Sequence, residues 1–418
     1  MMYGKDFTMA VIKPFICVRP DEAHVAQVAA LPYDVYNRTE AREIVQKNPL
    51  SFLSIDRGET NFTTDVDIYS DEVYETCASL LKERIENEIF ITESEPCLYL
   101  YELIMNGRSQ TGIVGCASVD DYINTIIKKH ENTRVEKEVD RTKHIDACSA
   151  HTGPIFLAYR TNKNLREIIL AQKDHPPIYD ITSEDGIRHI VYRIADAKVI
   201  DDIQTIFAEI NHVYIADGHH RAASAVNVAR SRREENPDFT GNEEFNFFLS
   251  VFFAEEELHI MDYNRVVKDL NGFTSEEYLE KMKEYFHVTK IECAQPPTEK
   301  GSFTMFLDDQ WYLCNIQPEL IPNDPVKSLD VSLLQEYLLT PILGIGDPRE
   351  DNRIAFVGGI RGLEELEKRC HTDCKVAFAM YPTSIQELFA VADADLLMPP
   401  KSTWFEPKLR SGLFIHKI

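Results

Sequence analysis

One twelve-residue stretch, Val213-Tyr-Ile-Ala-Asp-Gly-His-His-Arg-Ala-Ala-Ser, restricts this chain more than any other. Asn211 to Ala216 reads as a short buried strand and Asp217-Gly218 as a turn. Ala222, Ala225, Val226 and Ala229 then form one apolar helical face. His219, His220 and Arg221 fall in the first helical turn. Free N–H groups and the positive end of the peptide dipole disfavour each further cation there by about 0.3–1 kcal/mol. A bound anion reverses this: a phosphate held by backbone N–H groups and clamped by Arg221 makes the helix start a binding site. Two plainer readings stay open. The imidazoles can be neutral and locally packed, with Arg221 reaching a surface carboxylate, and Asp217 can cap the helix.

The Ala-Asp-Gly-His-His-Arg segment resembles the phosphate-binding turn of the ParB/sulfiredoxin superfamily. More closely, the chain resembles the bacterial DUF1015 family. The resemblance rests on Leu31-Pro-Tyr-Asp-Val-Tyr-Asn, Asn48-Pro-Leu-Ser-Phe-Leu, His130-Glu-Asn-Thr, Phe356-Val-Gly-Gly-Ile-Arg-Gly and Met398-Pro-Pro-Lys-Ser-Thr-Trp-Phe-Glu-Pro-Lys-Leu. It runs from near residue 11 to the C-terminus. The resemblance implies a phosphate-handling enzyme, because the superfamily includes free serine kinases, sulfiredoxins and ParB nucleotide-binding proteins. A sulfiredoxin-like reductase needs a cysteine in the phosphate turn, and Gly218 to Arg221 has none.

Composition bounds the rest. With 418 residues, 44% apolar and 10% aromatic, the chain suffices for two or three packed domains. A net charge of −25 argues against affinity for nucleic acid or an anionic membrane. No apolar run approaches the roughly 18 residues of a membrane span, and Met1 to Pro14 lacks a secretory apolar region, so a cytoplasmic protein is expected. The nine cysteines are scattered singly and read as reduced thiols. Cys370 and Cys374 flank His371 and Asp373, but no second ligand pair follows, so no metal-ligating residues are assigned.

Periodicity predicts a mixed α/β protein, with a ParB/sulfiredoxin-like core and a C-terminal α/β unit. A boundary near residue 265 separates domains 1–265 and 266–418, the second contributing its Pro-Pro-Lys-Ser-Thr loop to the site. In the first, Thr39 begins a helix that Asn48-Pro49 ends, Asp65 to Asn87 is a longer helix, and Leu98–Ile104 and Gly112–Val119 are strands around Asn106-Gly107. Ile155–Tyr159 and Asn246–Ala254 are strands. In the second, Thr304 to Ile316 is a strand pair around Asp308-Asp309, and helices and strands alternate from Leu329 to Met380.

There is no Gly-x4-Gly-Lys-Ser/Thr loop and no dinucleotide fingerprint, so any phosphoryl transfer uses another cradle. Lys128 to His144 gathers six cations against four carboxylates in an otherwise acidic chain. That is either a solvated helix face or an anion site. Glu131, beside Lys129 and His130, is the first candidate general base, with Asp34 and Asp217 as the others. By the resemblance, the expected reaction is phosphorylation of free L-serine, with ATP, ADP or pyrophosphate as donor and Mg2+ as cofactor. Gly218, His219, His220, Arg221, Arg141, Lys401, Ser402 and Thr403 would hold the donor, and Tyr33, His130 and Thr133 the substrate. The alternative is a ParB-like nucleotide switch without turnover. Sequence alone fixes no subunit number.

Overall fold

A computed structural model describes residues 9–63 and 66–418. The chain forms two compact units, one built from residues up to Leu258 with Pro407–Ile418, the other from His259–Glu406. The expected boundary near residue 265 thus lies a few residues early in the structure. The last twelve residues run back into the first unit rather than ending the second. The fold is the expected mixture of α and β. Among the described residues no helix is long and apolar enough to cross a membrane.

The first unit is organised on a nine-stranded sheet. Its order is Ile127–Lys128, Val213–Asp217, Ile155–Tyr159, Phe247–Ala254, Arg108–Ser118, Leu98–Met105, Arg188–Ile194 and Tyr179–Thr182, with Ile12–Lys13 pairing beside Arg108–Ser118. The predicted hairpin closes where expected. Met105 pairs with Arg108, and Asn106 and Gly107 between them take φ of 52° and 80°, the left-handed pair that a two-residue turn requires. Leu98 and Leu100 on one face join Leu157, Ile215 and Phe252 in the main core, which the helices Lys163–Gln172, Ala197–Phe207 and His219–Glu235 cover. Tyr99 and Tyr101 on the other face pack against Phe414. Both faces are therefore buried, so the strand reads as a continuous apolar run rather than an alternating one.

A second, smaller core lies under the helices Arg38–Lys47 and Asp71–Glu86. The first begins one residue before the expected Thr39, because Asn37 accepts the Glu40 N–H while Glu40 returns a bond to the Asn37 N–H, a reciprocal cap. The second is shorter than predicted, and the expected start at Asp65 lies outside the described residues. Beside this core a four-stranded sheet runs Phe90–Thr92, Cys17–Pro20, Ile415–Lys417, Ala150–His151.

The second unit holds a six-stranded sheet in the order Phe286–Ile291, Gln310–Ile316, Ser302–Leu307, Val376–Met380, Tyr263–Val267, Ile354–Gly358. Helices and strands do alternate here, yet every neighbouring pair is antiparallel. Alternation along the chain does not by itself dictate parallel pairing, because Tyr263–Val267 interposes between the later strands Ile354–Gly358 and Val376–Met380, and the 302–316 hairpin pairs on the far side of Val376–Met380.

Candidate active site

The strands Ile127–Lys128 and Val213–Asp217 pair in parallel, with Val213 opposite Ile127 and Tyr214 opposite Lys128. Parallel neighbours finish at the same edge of a sheet. Segment 129–134 and the helix start at residues 218–221 therefore leave the sheet side by side, at the strand ends where α/β proteins gather ligands.

The turn is made by Gly218, with φ of 96° and ψ of 30°, a conformation glycine adopts without penalty. A Cβ there would stand 3.0 Å from Nη2 of Arg221. That guanidinium folds back over the turn, and its Nη1 donates to the Pro154 carbonyl at 2.5 Å. No side chain caps the helix His219–Glu235. Asp217, weighed above as its cap, instead accepts from Lys408 Nζ at 2.9 Å. Burial opposes the charge on Asp217, but Lys408 and then Arg221 outweigh it and hold the carboxyl far below the usual carboxylate range.

The two histidine rings next to this turn are not solvated cations. His130 and His219 are 2% and 6% exposed, and they meet edge to face with centroids 4.5 Å apart. Burial pushes the His130 imidazole down to about 4, although the Ile215 carbonyl it bonds favours the protonated ring. His219 is driven well below the ordinary histidine range, first by burial and then by His130. Both rings are neutral at pH 7. Together with the half-buried Glu131 they form a trio whose possible ligand atoms all lie within 4.8 Å of one another. His220 does something else: its Nε2 accepts the Arg134 N–H at 2.9 Å, tying segment 129–134 to the helix start. Thr133 donates its hydroxyl to Glu138 at the start of helix Val135–Cys148.

Two adjoining hollows open beside this turn, and both are lined by Tyr33, Asp56, Arg141 and His144. The larger, about 310 Å³, adds Asp34, Arg57, Glu59, Lys137 and Asp140; the narrow one adds Thr152 and Arg221. Arg141 is the pivot. Its Nε meets Asp140 Oδ2 at 3.0 Å, Nη1 donates to the Asp56 carbonyl at 3.2 Å, and the guanidinium lies 4.2 Å from the Tyr33 ring centroid, a desolvated cation–π contact. Burial would raise the Asp140 carboxyl, but Arg141 and the Tyr74 hydroxyl prevail and lower it. Thr152 Oγ1 donates to Asp56 Oδ1 at 3.0 Å. His144 Nε2 donates to the Ile55 carbonyl at 2.9 Å.

Of the expected site residues, the structure thus gathers Tyr33, Asp34, Arg141 and Arg221 around the hollows, and His130, Glu131 and His219 into a separate trio. Lys401, Ser402 and Thr403 belong to the second unit. There Lys401 Nζ lies 5.6 Å from the Tyr263 ring centroid, its carbonyl accepts from Arg265 at 3.0 Å, and Ser402 Oγ donates to the Pro399 carbonyl at 2.7 Å. Sequence reasoning missed Asp56 and Thr152, and placed His144 in the charged segment 128–144 without giving it a role. Asp56 had a usable signal, since it ends the mostly apolar run Leu50-Ser-Phe-Leu-Ser-Ile, where an ionisable side chain is costly unless it is used.

The protein family whose profile matches is described as "Protein of unknown function (DUF1015)" and spans residues 12–332. No curated protein matches the chain. Solved structures that resemble it include SbnI with a C-terminal truncation from Staphylococcus aureus, 11% identical with a TM-score of 0.37, aligning 72% of this chain and 87% of that one. A free serine kinase in complex with AMP is 10% identical with a TM-score of 0.34 over 72% and 91% of the two chains. A conserved hypothetical protein from Pyrococcus furiosus is 13% identical with a TM-score of 0.34 over 73% and 95%. Likenesses of this depth leave function to be argued from the residues themselves.

Proposed function

The chain belongs to the DUF1015 family, and from its geometry we propose that it is a small-molecule kinase transferring a phosphoryl group to the side-chain hydroxyl of free L-serine. One observation carries the reading: Arg141 and Arg221 share a pocket with the buried carboxylate of Asp56, next to the exposed carboxylate of Asp34. A free amino acid is a zwitterion, and it needs both an anion for its ammonium group and a guanidinium for its carboxylate. Asp56 and Arg141 supply that pair. The choice of serine, rather than another hydroxy amino acid, follows the family resemblance of the Asp-Gly-His-His-Arg turn.

The donor phosphates would lie on the uncapped start of helix His219–Glu235. Gly218 lets the backbone approach there, and Arg221 meets the developing charge. Asp34 is the carboxylate in reach of solvent and takes the serine proton as the hydroxyl oxygen bonds to phosphorus. The donor bond then breaks to release ADP, AMP or orthophosphate from ATP, ADP or pyrophosphate. Asp217, locked onto Lys408, positions the turn. Mg2+ would arrive on the donor phosphates and neutralise their charge; the carboxylate oxygens of the larger hollow fit its preference for oxygen ligands, and the imidazoles do not.

Incubating the protein with Mg2+, serine and each donor in turn tests this, with O-phosphoserine read by mass spectrometry. One donor should give product, and Arg221→Ala should lower the rate by about 100–1,000-fold, with Asp34→Asn also impaired. Nucleotide bound without phosphoserine from any donor sinks the kinase and favours the nucleotide switch.

A further inference from the structure

We infer that His130, Glu131 and His219 form a binding site for a divalent ion of the Zn2+ class. Phosphoryl transfer as proposed above needs no such site, since Mg2+ can ride on the donor.

The trio is the group of at least three His, Cys, Asp or Glu side chains that comes within ligand range among the described residues, with all its ligand atoms within 4.8 Å of each other. Two imidazoles and one carboxylate make the donor set of open zinc sites, in which a fourth position is left for water or substrate oxygen. Mg2+ prefers oxygen ligands alone, whereas borderline ions take imidazole readily. Tetrahedral ligation at about 2.0–2.1 Å puts donor atoms about 3.3 Å apart. The set must therefore contract by no more than about 1.5 Å.

Two further observations point to a ligand rather than to packing. Nε2 of His219 is fully buried and has no hydrogen-bond partner, although the residue is 94% buried. Leaving a buried ring nitrogen unsatisfied costs about 1–3 kcal/mol, and an ion would remove that cost. His130, for its part, is held by the Ile215 carbonyl. Metal-ligating histidines are typically oriented in this way, by a carbonyl on the ring nitrogen that does not face the ion. The framework is held close to the sheet, because a single residue separates each histidine from the end of a strand, and the two strands pair in parallel. Glu131 is the member in contact with solvent, so it provides the entry path.

The site has a direct test. Full-length protein carrying Cys293→Ser, which removes the exposed cysteine, is stripped with a chelator and titrated with Zn2+ against a chromophoric competitor. Co2+ is then added separately to record its visible ligand-field bands. One equivalent should bind, with a tetrahedral Co2+ spectrum and a raised unfolding temperature. His219→Ala and the conservative Glu131→Gln should each weaken binding by more than about 100-fold, beyond what loss of an outer-sphere partner causes. Far-UV circular dichroism checks that the variants are folded. Absence of Zn2+ binding in the parent, or unchanged binding in a folded Glu131→Gln protein, overturns the inference. Because the readout is the ion itself, a protein that binds one Zn2+ and makes no phosphoserine retains this site while losing the kinase reading.

Discussion

Replacing Arg141 with methionine keeps the length of the side chain and removes its charge. In the parent, Arg141 and Asp140 are each 7% exposed and 3.0 Å apart, so the pair is desolvated on both sides. Without the guanidinium, Asp140 keeps the Tyr74 hydroxyl, at 2.9 Å, as its side-chain hydrogen-bond donor among the described residues. Breaking a buried pair by deleting one partner typically costs about 3–5 kcal/mol, mostly the penalty of an uncompensated charge. Changing both partners, Asp140→Asn with Arg141→Met, removes that charge while preserving an acceptor for Tyr74. The double variant should recover all but about 1–2 kcal/mol of the loss, standing about 2–3 kcal/mol above the Arg141→Met single. Urea titration followed by far-UV circular dichroism measures each corner of the cycle. Phosphoserine formation should be lost in both Arg141 variants, including the one whose stability is restored. A single variant that loses less than about 1 kcal/mol, or a double variant no better than the single, would refute the assignment of Arg141 as the counter-charge of Asp140.

Gly218→Ala forces a side chain into a left-handed conformation and sets its Cβ 3.0 Å from the Arg221 guanidinium. It should cost about 1–3 kcal/mol in stability and displace Arg221, so a variant with parental stability and rate contradicts the account of the turn. Asp121 gives a pH signature. Burial raises its carboxyl to about 7 against the Val11 N–H that favours the charged form. The folded state then holds a proton that the unfolded chain has released between about pH 4 and pH 7. Stability contributed by this group falls across that window, by at most about 1.4 kcal/mol per pH unit. Asp121→Asn should therefore gain on the parent as pH rises from about 5 to about 8; parallel unfolding midpoints in the two proteins would count against it.

What the sequence reveals here follows how local each cause is. The Asn106-Gly107 hairpin and the strand-turn-helix at Asp217-Gly218 are fixed by residues next to one another, and both are legible. The helix Ala197–Phe207 was legible too, with Asp196 capping it and Ile200, Ile203 and Phe207 on its buried face, but it was not among the expected elements. The order of the large sheet is a different matter. Phe247–Ala254 lies between Arg108–Ser118 and Ile155–Tyr159, and nothing within those segments names their partners. The site divides in the same way. Residue types at the turn are readable, yet the neutrality of His130 and His219 depends on burial by distant segments, and their convergence depends on the pairing of Ile127 with Val213.

The Ile415–Lys417 strand also sets a timetable for synthesis. His416 pairs with Cys17 on one side and His151 on the other, so both edges stay open while the ribosome makes everything from residue 259 onwards. A nascent chain can close the second unit before the first is whole. Chaperone capture should accordingly persist through synthesis of residues 259–406 and fall once residues 415–417 emerge.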